Sequence, residues 1–233
     1  MCISGGNIID FERSGEGGWT VADKARSIRQ VPAHQHLFFE GDERTHLFVI
    51  ESGWVKLYRT LIDGQRQVVG FCNGGSILGL EGGEDHVNAC EAVTPVKVRA
   101  VAVGRIPELC ARNPELAGQL LRQMGRQLGT AQAQLTTVGA QSADQKLATF
   151  LLAFANHCAP QGGEFDLPMR RSDIGEFLGL RLETVSRKLS DFQRRKWVRM
   201  VSLYRFRILD RAALEGLAEG GEADEAMAVR AAG

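Results

Sequence analysis

The sequence lacks the features that mark membrane, secreted and strongly charged proteins. It contains no run of about eighteen apolar residues, so we expect no membrane-spanning helix. The first six residues show no cationic segment followed by an apolar stretch, and without this signal pattern we expect a cytoplasmic protein. Basic and acidic residues number 28 each, so the net charge is zero. A function that depends on charge must therefore rest on a local excess.

Cysteine is scarce, and the five cysteines are scattered. No two of them lie at the spacing of about two to four residues that is typical of metal and iron–sulfur sites. We expect no structural disulfides in a reducing compartment and therefore mainly packing roles, with a redox-sensitive thiol as the alternative. The cysteines are Cys2, Cys72, Cys90, Cys110 and Cys158.

A length of 233 residues and an apolar content of 44% are sufficient for two cores. After a loosely ordered tail at residues 1–20, short β-rich runs separated by glycine-containing turns occupy residues 21–105. Their regular spacing favours an antiparallel barrel or roll over alternating βαβ units. The predicted strands are Leu37–Phe39, Leu47–Ile50, Trp54–Tyr58, Gln67–Phe71 and Val96–Val101.

Residues 106–140 are predicted to form a short helix and then a long one, which Asn113 and Pro114 begin. Apolar residues recur along the long helix at steps of three or four, in a narrow seam flanked by Gln and Arg. Such a helix can pack across its own roll, but the narrow seam favours contact with a second copy of the chain. The predicted dimerisation residues are Leu116, Leu120, Leu121, Met124, Leu128, Ala131 and Leu135.

Residues 141–212 are predicted to form a winged helix-turn-helix domain, and residues 213–233 a C-terminal tail. Two short amphipathic helices meet at Gly179, and the alternating segments 197–201 and 204–209 form the wing. From Arg170 to Arg207 there are eleven basic and four acidic residues, a net charge of +7, so the rest of the chain carries −7. A basic module on an otherwise acidic chain indicates binding to nucleic acid.

This order of parts resembles the CRP/FNR family of bacterial transcription regulators, over roughly residues 25–210. The motifs that carry the resemblance are Glu40-Gly41-Asp42, Leu47–Gly53, Asp173-Ile174-Gly175 and Glu183–Arg187, and the last of these and residues 79–86 are similar to the FNR/FixK branch. The expected fold class is α+β, with a cyclic-nucleotide-binding-like β-roll, a long dimerisation helix and a C-terminal winged helix-turn-helix. The resemblance implies a homodimer that binds palindromes with TTGA-type half-sites and recruits RNA polymerase. It also implies an activator of anaerobic, microaerobic or nitrogen-oxide-related genes, and the alternative is a repressor that does not recruit RNA polymerase.

The resemblance implies that Glu183 and Arg187 contact bases, with Ser186 acting at the base pair that distinguishes FNR-type from CRP-type sites. Arginine can bond guanine with two hydrogen bonds, and glutamate can accept a hydrogen bond from cytosine. Arg181 departs from the family pattern, in which Thr or Ser caps this helix. The full set of predicted DNA-binding residues is Glu183, Ser186, Arg187, Thr184, Leu182, Arg181, Lys188 and Arg171.

The resemblance leaves the signal open. The Glu and Arg with which CRP-like rolls bind cyclic AMP are missing at Gly79-Leu80 and Val87–Ala89, so we expect no cyclic nucleotide. Only Cys2 lies where FNR carries its cluster cysteines, and we expect no cofactor. A FixK-like regulator that needs no ligand fits best. Haem- or thiol-based sensing within the same family is the alternative.

A rival hypothesis comes from an enzyme class. His34, His36 and Glu40 match part of the metal-binding motif of cupins, in which two histidines and a carboxylate hold a divalent metal. The glycine that cupins place about seven residues after the Glu is replaced by Leu47. We therefore expect strand and turn residues here, and no enzyme.

Overall fold

A computed structural model describes residues 2–4, 7–9, 28–137, 141–159 and 162–220, with side chains for 28–125, 141–159 and 162–220. The chain divides into two compact units, and among the described residues 28–132 belong to the first and 133–220 to the second. No helix in the described ranges is both long and apolar enough to cross a membrane.

In the described part of the chain, ten strands precede the first helix. They are β1 (Cys2–Ser4), β2 (Asn7–Ile9), β3 (Ile28–Val31), β4 (His36–Phe38), β5 (His46–Ser52), β6 (Trp54–Thr60), β7 (Arg66–Asn73), β8 (Ile77–Leu78), β9 (Ala89–Ala92) and β10 (Val96–Ala102). They form two sheets with the orders β2-β1-β7-β6-β9-β4 and β3-β10-β5-β8, in which β1 and β3–β10 pair with their neighbours in antiparallel orientation.

The five predicted strands correspond to β4, β5, β6, β7 and β10, so the prediction of an antiparallel roll is confirmed. The strand β8 has two residues, and β9 contains only Ala, Cys and Glu, so neither carries the β-branched pattern that marks a strand in sequence. The strands β1 and β2 lie in the segment predicted to be a loose tail. Apart from them, residues 1–27 lie outside the described residues.

The core of the roll is formed by the inner faces of its strands, with Val55, Cys72, Cys90 and Val98 among its buried members. One turn depends on glycine: Gly53 has a φ of 91°, and a Cβ at this position would lie 2.3 Å from the carbonyl oxygen of Pro95. Only glycine tolerates both the backbone conformation and the close approach.

A single 3-10 turn (Val103–Arg105) leads into α1 (Ile106–Arg112) and α2 (Pro114–Thr137). The side chain of Asn113 accepts a hydrogen bond from the backbone N–H of Glu115 at 3.2 Å. Both helices begin within a residue or so of the predicted positions, because capping by Asn and a first-turn Pro are local signals.

The residues of the predicted dimerisation seam on α2 differ in burial. Leu116 and Leu120 are only 3% and 8% exposed and pack with Leu47 in the core of their own roll, while their part in a dimer stays a prediction. A side chain that is already buried within one protomer adds little on association. Leu121 and Met124, in contrast, are 70% and 47% exposed. The side chains of the other three seam residues, Leu128, Ala131 and Leu135, lie outside the described part.

The loop after β8 is fastened to the turn between β4 and β5. The guanidinium of Arg44 donates to the carbonyl of Gly79 at 3.3 Å and to that of Gly83 at 2.6 and 3.0 Å. The backbone of His86 bonds to that of Gly41 and Asp42, at 2.8 and 2.9 Å. Side-chain and backbone hydrogen bonds of this chain therefore hold the loop.

The side chain of His86, at the end of this loop, is buried in the roll. It stacks on Phe38 with ring centroids 3.7 Å apart, and the residue is 3% exposed. Burial lowers the pKa of His86 from its ordinary value of 6.5, although the nearby carboxylate of Glu81 opposes the shift. The native roll thus favours the neutral form of this histidine.

The second unit contains α3 (Ala143–Cys158), β11 (Glu164–Asp166), α4 (Arg171–Leu178), α5 (Leu182–Arg194), β12 (Val198–Met200), β13 (Arg205–Ile208) and α6 (Arg211–Ala218). Ser142 caps α3 by accepting from the N–H of Gln145, whose side chain accepts from the N–H of Ser142. The strands pair in the order β11-β13-β12 and form the predicted wing. A helix-turn-helix followed by a β-hairpin is therefore present, as predicted.

The helix α6 corrects the predicted boundary of the C-terminal tail at residue 213. Asp210 caps this helix by accepting a hydrogen bond from the N–H of Ala213, and Leu214 and Leu217 are buried. The small and polar composition of the segment concealed a short amphipathic helix that the rest of the unit covers.

The turn between α4 and α5 depends on two glycines. Gly179 has a φ of 66° and ends α4 in the left-handed region. Gly175 accepts a hydrogen bond from the N–H of Leu180, and a Cβ on Gly175 would lie 2.6 Å from the carbonyl oxygen of Leu180. The glycine at position 175 therefore allows the chain to return close to α4 before α5 begins.

We expect Gly175→Ala to lower the free energy of unfolding by about 1–3 kcal/mol, because the added methyl group meets a backbone atom that cannot move aside. Gly216→Ala is the matched control, since no atom lies within 4 Å of a Cβ at that helical position. It should raise stability by about 0.5–1 kcal/mol. Denaturant unfolding of both variants measures the difference, and an equal response would contradict the close approach.

A second prediction concerns pH. Because the folded pKa of His86 is lowered, the unfolded state binds more protons below about pH 6.5, and stability falls as the pH decreases through this range. His86→Phe keeps a flat ring against Phe38 but cannot titrate. Between pH 7 and pH 5 the variant should lose less stability than the native chain, as measured by thermal unfolding. An unchanged pH dependence would show that His86 does not contribute.

Candidate nucleic-acid interface

The helix α5 is oriented by a strongly apolar side. Val185, Leu189 and Phe192 recur at helical spacing, and each is 0% exposed. Opposite them, Glu183 and Arg187 are exposed, with Ser186 beside them partly exposed. Burial of one side therefore presents to solvent the three residues that are predicted to contact bases.

Arg187 is available for an external partner. Within the described ranges, no acidic side chain lies within salt-bridge distance of its guanidinium. Ser190 lies on the same side, one turn further along, and its hydroxyl donates to the carbonyl of Ser186 at 2.9 Å. The outward stripe of α5 thus combines a carboxylate, a guanidinium and hydroxyl groups, which are the donors and acceptors required at base edges in the major groove.

Arg181 occupies the N-cap position of α5 with an extended backbone, and its side chain makes no capping hydrogen bond. Both Arg181 and Leu182 are exposed at this end of the helix, and Thr184 is partly exposed. At this N-cap, Arg181 therefore does not replace the capping hydrogen bond that a Ser or Thr side chain would make.

The structure places two other predicted DNA-binding residues in internal contacts. The ammonium of Lys188 lies 2.5 Å from the carboxylate of Asp144 on α3. The guanidinium of Arg171 contacts the sulfur of Met200 on β12 at 3.6 Å. These two cations are therefore engaged within the unit, unlike Arg187.

Several other cations of the basic segment are paired. Asp191 binds both Arg194 and Arg195, and Arg195 also lies over the ring of Trp197, 5.1 Å from its centroid. Across the wing, Arg205 donates to Asp166 at 2.8 Å, which lowers the pKa of that carboxyl group.

The acidic partners Asp144 and Asp166 lie outside the basic segment in sequence, so counting charges along residues 170–207 overestimated the free positive charge. Only the fold brings these carboxylates to the cations that they neutralise.

A groove of about 240 Å³ lies beside the start of α5. The wing turn contributes Leu203 and Tyr204, which are 62% and 43% exposed, next to Leu182 at 46%. The sequence predicts Tyr204 as the first residue of a wing segment and Leu203 as part of the turn before it, and neither is among the predicted DNA-binding residues. Large side chains in a turn, where polar residues are usual, were the available signal. The remaining lining residues are Met169, Arg170, Arg171 and Ser172.

The cupin-like motif does not assemble. Glu40 accepts a hydrogen bond from the N–H of Thr60 and lies 3.6 Å from Arg59. His36 bonds instead to the hydroxyl of Tyr58 at 2.8 Å. The described residues contain no group of three or more His, Cys, Asp or Glu side chains arranged to hold a metal ion. His36 and Glu40 thus make other contacts.

A different acid occupies the sheet face near His36. Glu91 is 7% exposed and lies 3.4 Å from Lys56 and 3.5 Å from Arg66. Burial is the main cause that lowers the pKa of His36, although the charge of Glu91 opposes it. The arrangement is an ion network within the roll.

The thiols differ in their surroundings. Burial raises the pKa of the Cys90 thiol far above its ordinary range, and desolvation by neighbouring atoms together with Asp166 raises the pKa of Cys158, whose surface is exposed, to about 11. Neither environment stabilises a thiolate. Cys72 is disulfide-bonded, which departs from the expected absence of disulfides, while Cys90, Cys110 and Cys158 are free.

Comparisons with known proteins agree with this geometry. Residues 28–113 match the model of the cyclic nucleotide-binding domain, and residues 145–217 match that of the Crp-like helix-turn-helix domain. Electron transport regulator A of Shewanella oneidensis is 31% identical over 83% of this chain and 79% of that protein. The nitrogen fixation regulation protein FixK of Rhizobium meliloti is 33% identical over 82% and 87%, respectively.

Among solved structures, that of FixK2 from Bradyrhizobium japonicum superposes with a TM-score of 0.76 and 29% identity, covering 82% of this chain and 96% of that one. The regions similar to these relatives include residues of both units, and the outward stripe of α5 lies within the matched helix-turn-helix domain. The chain therefore belongs to the CRP/FNR family of transcription regulators, with a DNA-binding helix-turn-helix domain.

Proposed function

We propose that this chain is a transcription activator that binds TTGA-type palindromes as a homodimer and recruits RNA polymerase. The observation that carries the proposal is the outward stripe of α5, where Glu183, Ser186 and Arg187 stand opposite a completely buried side. Arg187 suits a guanine with its two donors, and Glu183 suits the amino group of a cytosine. Both base types occur in TTGA and its complement.

The regulated genes are proposed from the relatives. Proteins named for electron transport, for fumarate and nitrate reduction and for nitrogen fixation cover most of this chain at 31–33% identity. We therefore assign the chain to anaerobic, microaerobic or nitrogen-oxide-related genes, and to the cytoplasm, where the chromosome lies.

The homodimer is supported by α2. Leu121 and Met124 expose large apolar side chains on a 24-residue helix whose neighbouring side packs on the roll. An exposed apolar strip on a long helix is stabilised by an identical strip on a second copy. Two recognition helices, one from each copy, then match two half-sites of a palindrome.

Control without a cyclic nucleotide is supported by the loop after β8. Its carbonyls at Gly79 and Gly83 accept from Arg44, and its His86 is packed inward on Phe38. The loop is therefore held by protein contacts.

Selection of binding sites from random DNA, with aerobically purified and ligand-free protein, tests the proposal as a whole. Recovery of paired TTGA and TCAA half-sites supports both the proposed TTGA-type binding site and binding without a ligand. Recovery of an unrelated motif would reject the assigned half-site, and binding only after addition of a small molecule would reject ligand independence.

Arg187→Ala should remove the preference for the TTGA duplex over a scrambled duplex, a loss of about 1–3 kcal/mol per discriminated base, while salt-dependent nonspecific binding persists. Arg181→Ala is the matched control: as a phosphate contact, it should weaken both duplexes alike and reduce the salt slope by about 0.9. Fluorescence anisotropy at several salt concentrations measures both effects. Equal losses on the two duplexes for Arg187→Ala would contradict base reading.

Leu128→Glu should produce monomers and abolish operator binding, because a carboxylate within the proposed seam cannot be buried unpaired. Arg122→Glu is the control, since this exposed residue lies on the other side of α2. Sedimentation should show a dimer for the control only. A dimer that survives Leu128→Glu would refute the seam.

A further inference from the structure

Lys188 lies on the recognition helix next to Arg187, and the two side chains border one groove on α5, but only Lys188 is bound to a carboxylate of α3. Its ammonium is 2.5 Å from the carboxylate of Asp144, and the two side chains are 26% and 22% exposed. One residue along an α-helix corresponds to a rotation of about 100°, so Lys188 and its neighbour Arg187 point in clearly different directions. Lys188 instead borders the buried residues Val185 and Leu189.

Asp144 is a well-placed anchor for this contact. It lies in the first turn of α3, where the helix dipole favours a carboxylate, and the adjoining Ser142 and Gln145 close that end with two reciprocal hydrogen bonds. The backbone that carries Asp144 is therefore held in place by its own capping interactions. A cation bound to Asp144 is tied to a fixed point on α3.

We infer that Asp144 and Lys188 form a positioning pair that sets the rotation of α5 against α3 and withholds the charge of Lys188 from DNA. The inference rests on the proposed reading of bases by α5. Rotation of this helix about its axis moves Glu183 and Arg187 together relative to the base edges. A side contact beyond the buried stripe therefore adjusts sequence reading without touching a base.

The pair also bears on nonspecific affinity. Each cation that neutralises a phosphate adds sequence-independent, salt-sensitive binding. A lysine on the recognition helix that is bound to a carboxylate contributes less of this binding than a free one. The pair is thus expected to raise the ratio of specific to nonspecific affinity, in contrast to the phosphate role suggested by the sequence.

The test uses full-length Lys188→Gln, Asp144→Asn and the double variant, with a TTGA duplex and a scrambled duplex at several salt concentrations. Lys188→Gln should lower the ratio of the affinity for the TTGA duplex to that for the scrambled duplex by roughly fivefold, which corresponds to the upper end of the interaction energies of surface ion pairs. The salt slope should remain unchanged. Asp144→Asn should lower the ratio similarly and steepen the slope by about 0.9, because Lys188 becomes free to reach a phosphate. The double variant should be no worse than either single one.

Lys97→Gln, an exposed lysine on β10, is the matched control for loss of a charge and should change neither quantity. A Lys188→Gln variant that loses about 0.9 of salt slope and weakens both duplexes equally would overturn the inference, since Lys188 would then be a phosphate ligand. So would a normal ratio in both single variants. If the native protein shows no preference for TTGA, the proposed half-site fails, and the positioning role is tested by the same ratio on the duplex that site selection recovers.

Discussion

The complete burial of Val185, Leu189 and Phe192 determines which side of α5 faces outward, and the candidate interface depends on it. A helix with one such apolar side can rotate only slightly before large side chains leave the core, so the opposite residues are presented without any contact of their own. The close approach of Gly175 to Leu180 brings the start of α5 against α4. Glu183 and Arg187 therefore reach solvent as a consequence of packing elsewhere.

Charge pairing then neutralises several cations of the second unit. Asp144, Asp166 and Asp191 hold Lys188, Arg205 and Arg194, respectively. Arg181 and Arg187 are exposed on α5, and Lys196 and Arg199 are exposed beyond it. Surface pairs of this kind add little to stability. Their effect is to reduce the free positive charge of the basic segment.

Some elements of the two units can be predicted from local sequence, and others cannot. Turns with glycine, alternating strands and the caps at Asn113 and Ser142 are local signals, so the roll and the helices could be predicted within a few residues. The very short β8 and the helix α6 could not, because their positions depend on cover from distant segments. The apolar stripe on α2 was visible, but its division between the roll and an exposed strip was not.

The sequence by itself determined the antiparallel roll, the helix-turn-helix with its wing and the residue types on the part of α5 that is proposed to contact bases, because periodicity and turn chemistry act over a few residues. Only the tertiary structure decided that Leu116 and Leu120 belong to the roll and that Lys188 is bound to Asp144. It also gave His36 and Glu40 different partners, Tyr58 and Thr60. The physical reason is that burial and ion pairing depend on which distant segments meet, and residue spacing along a chain does not contain this information.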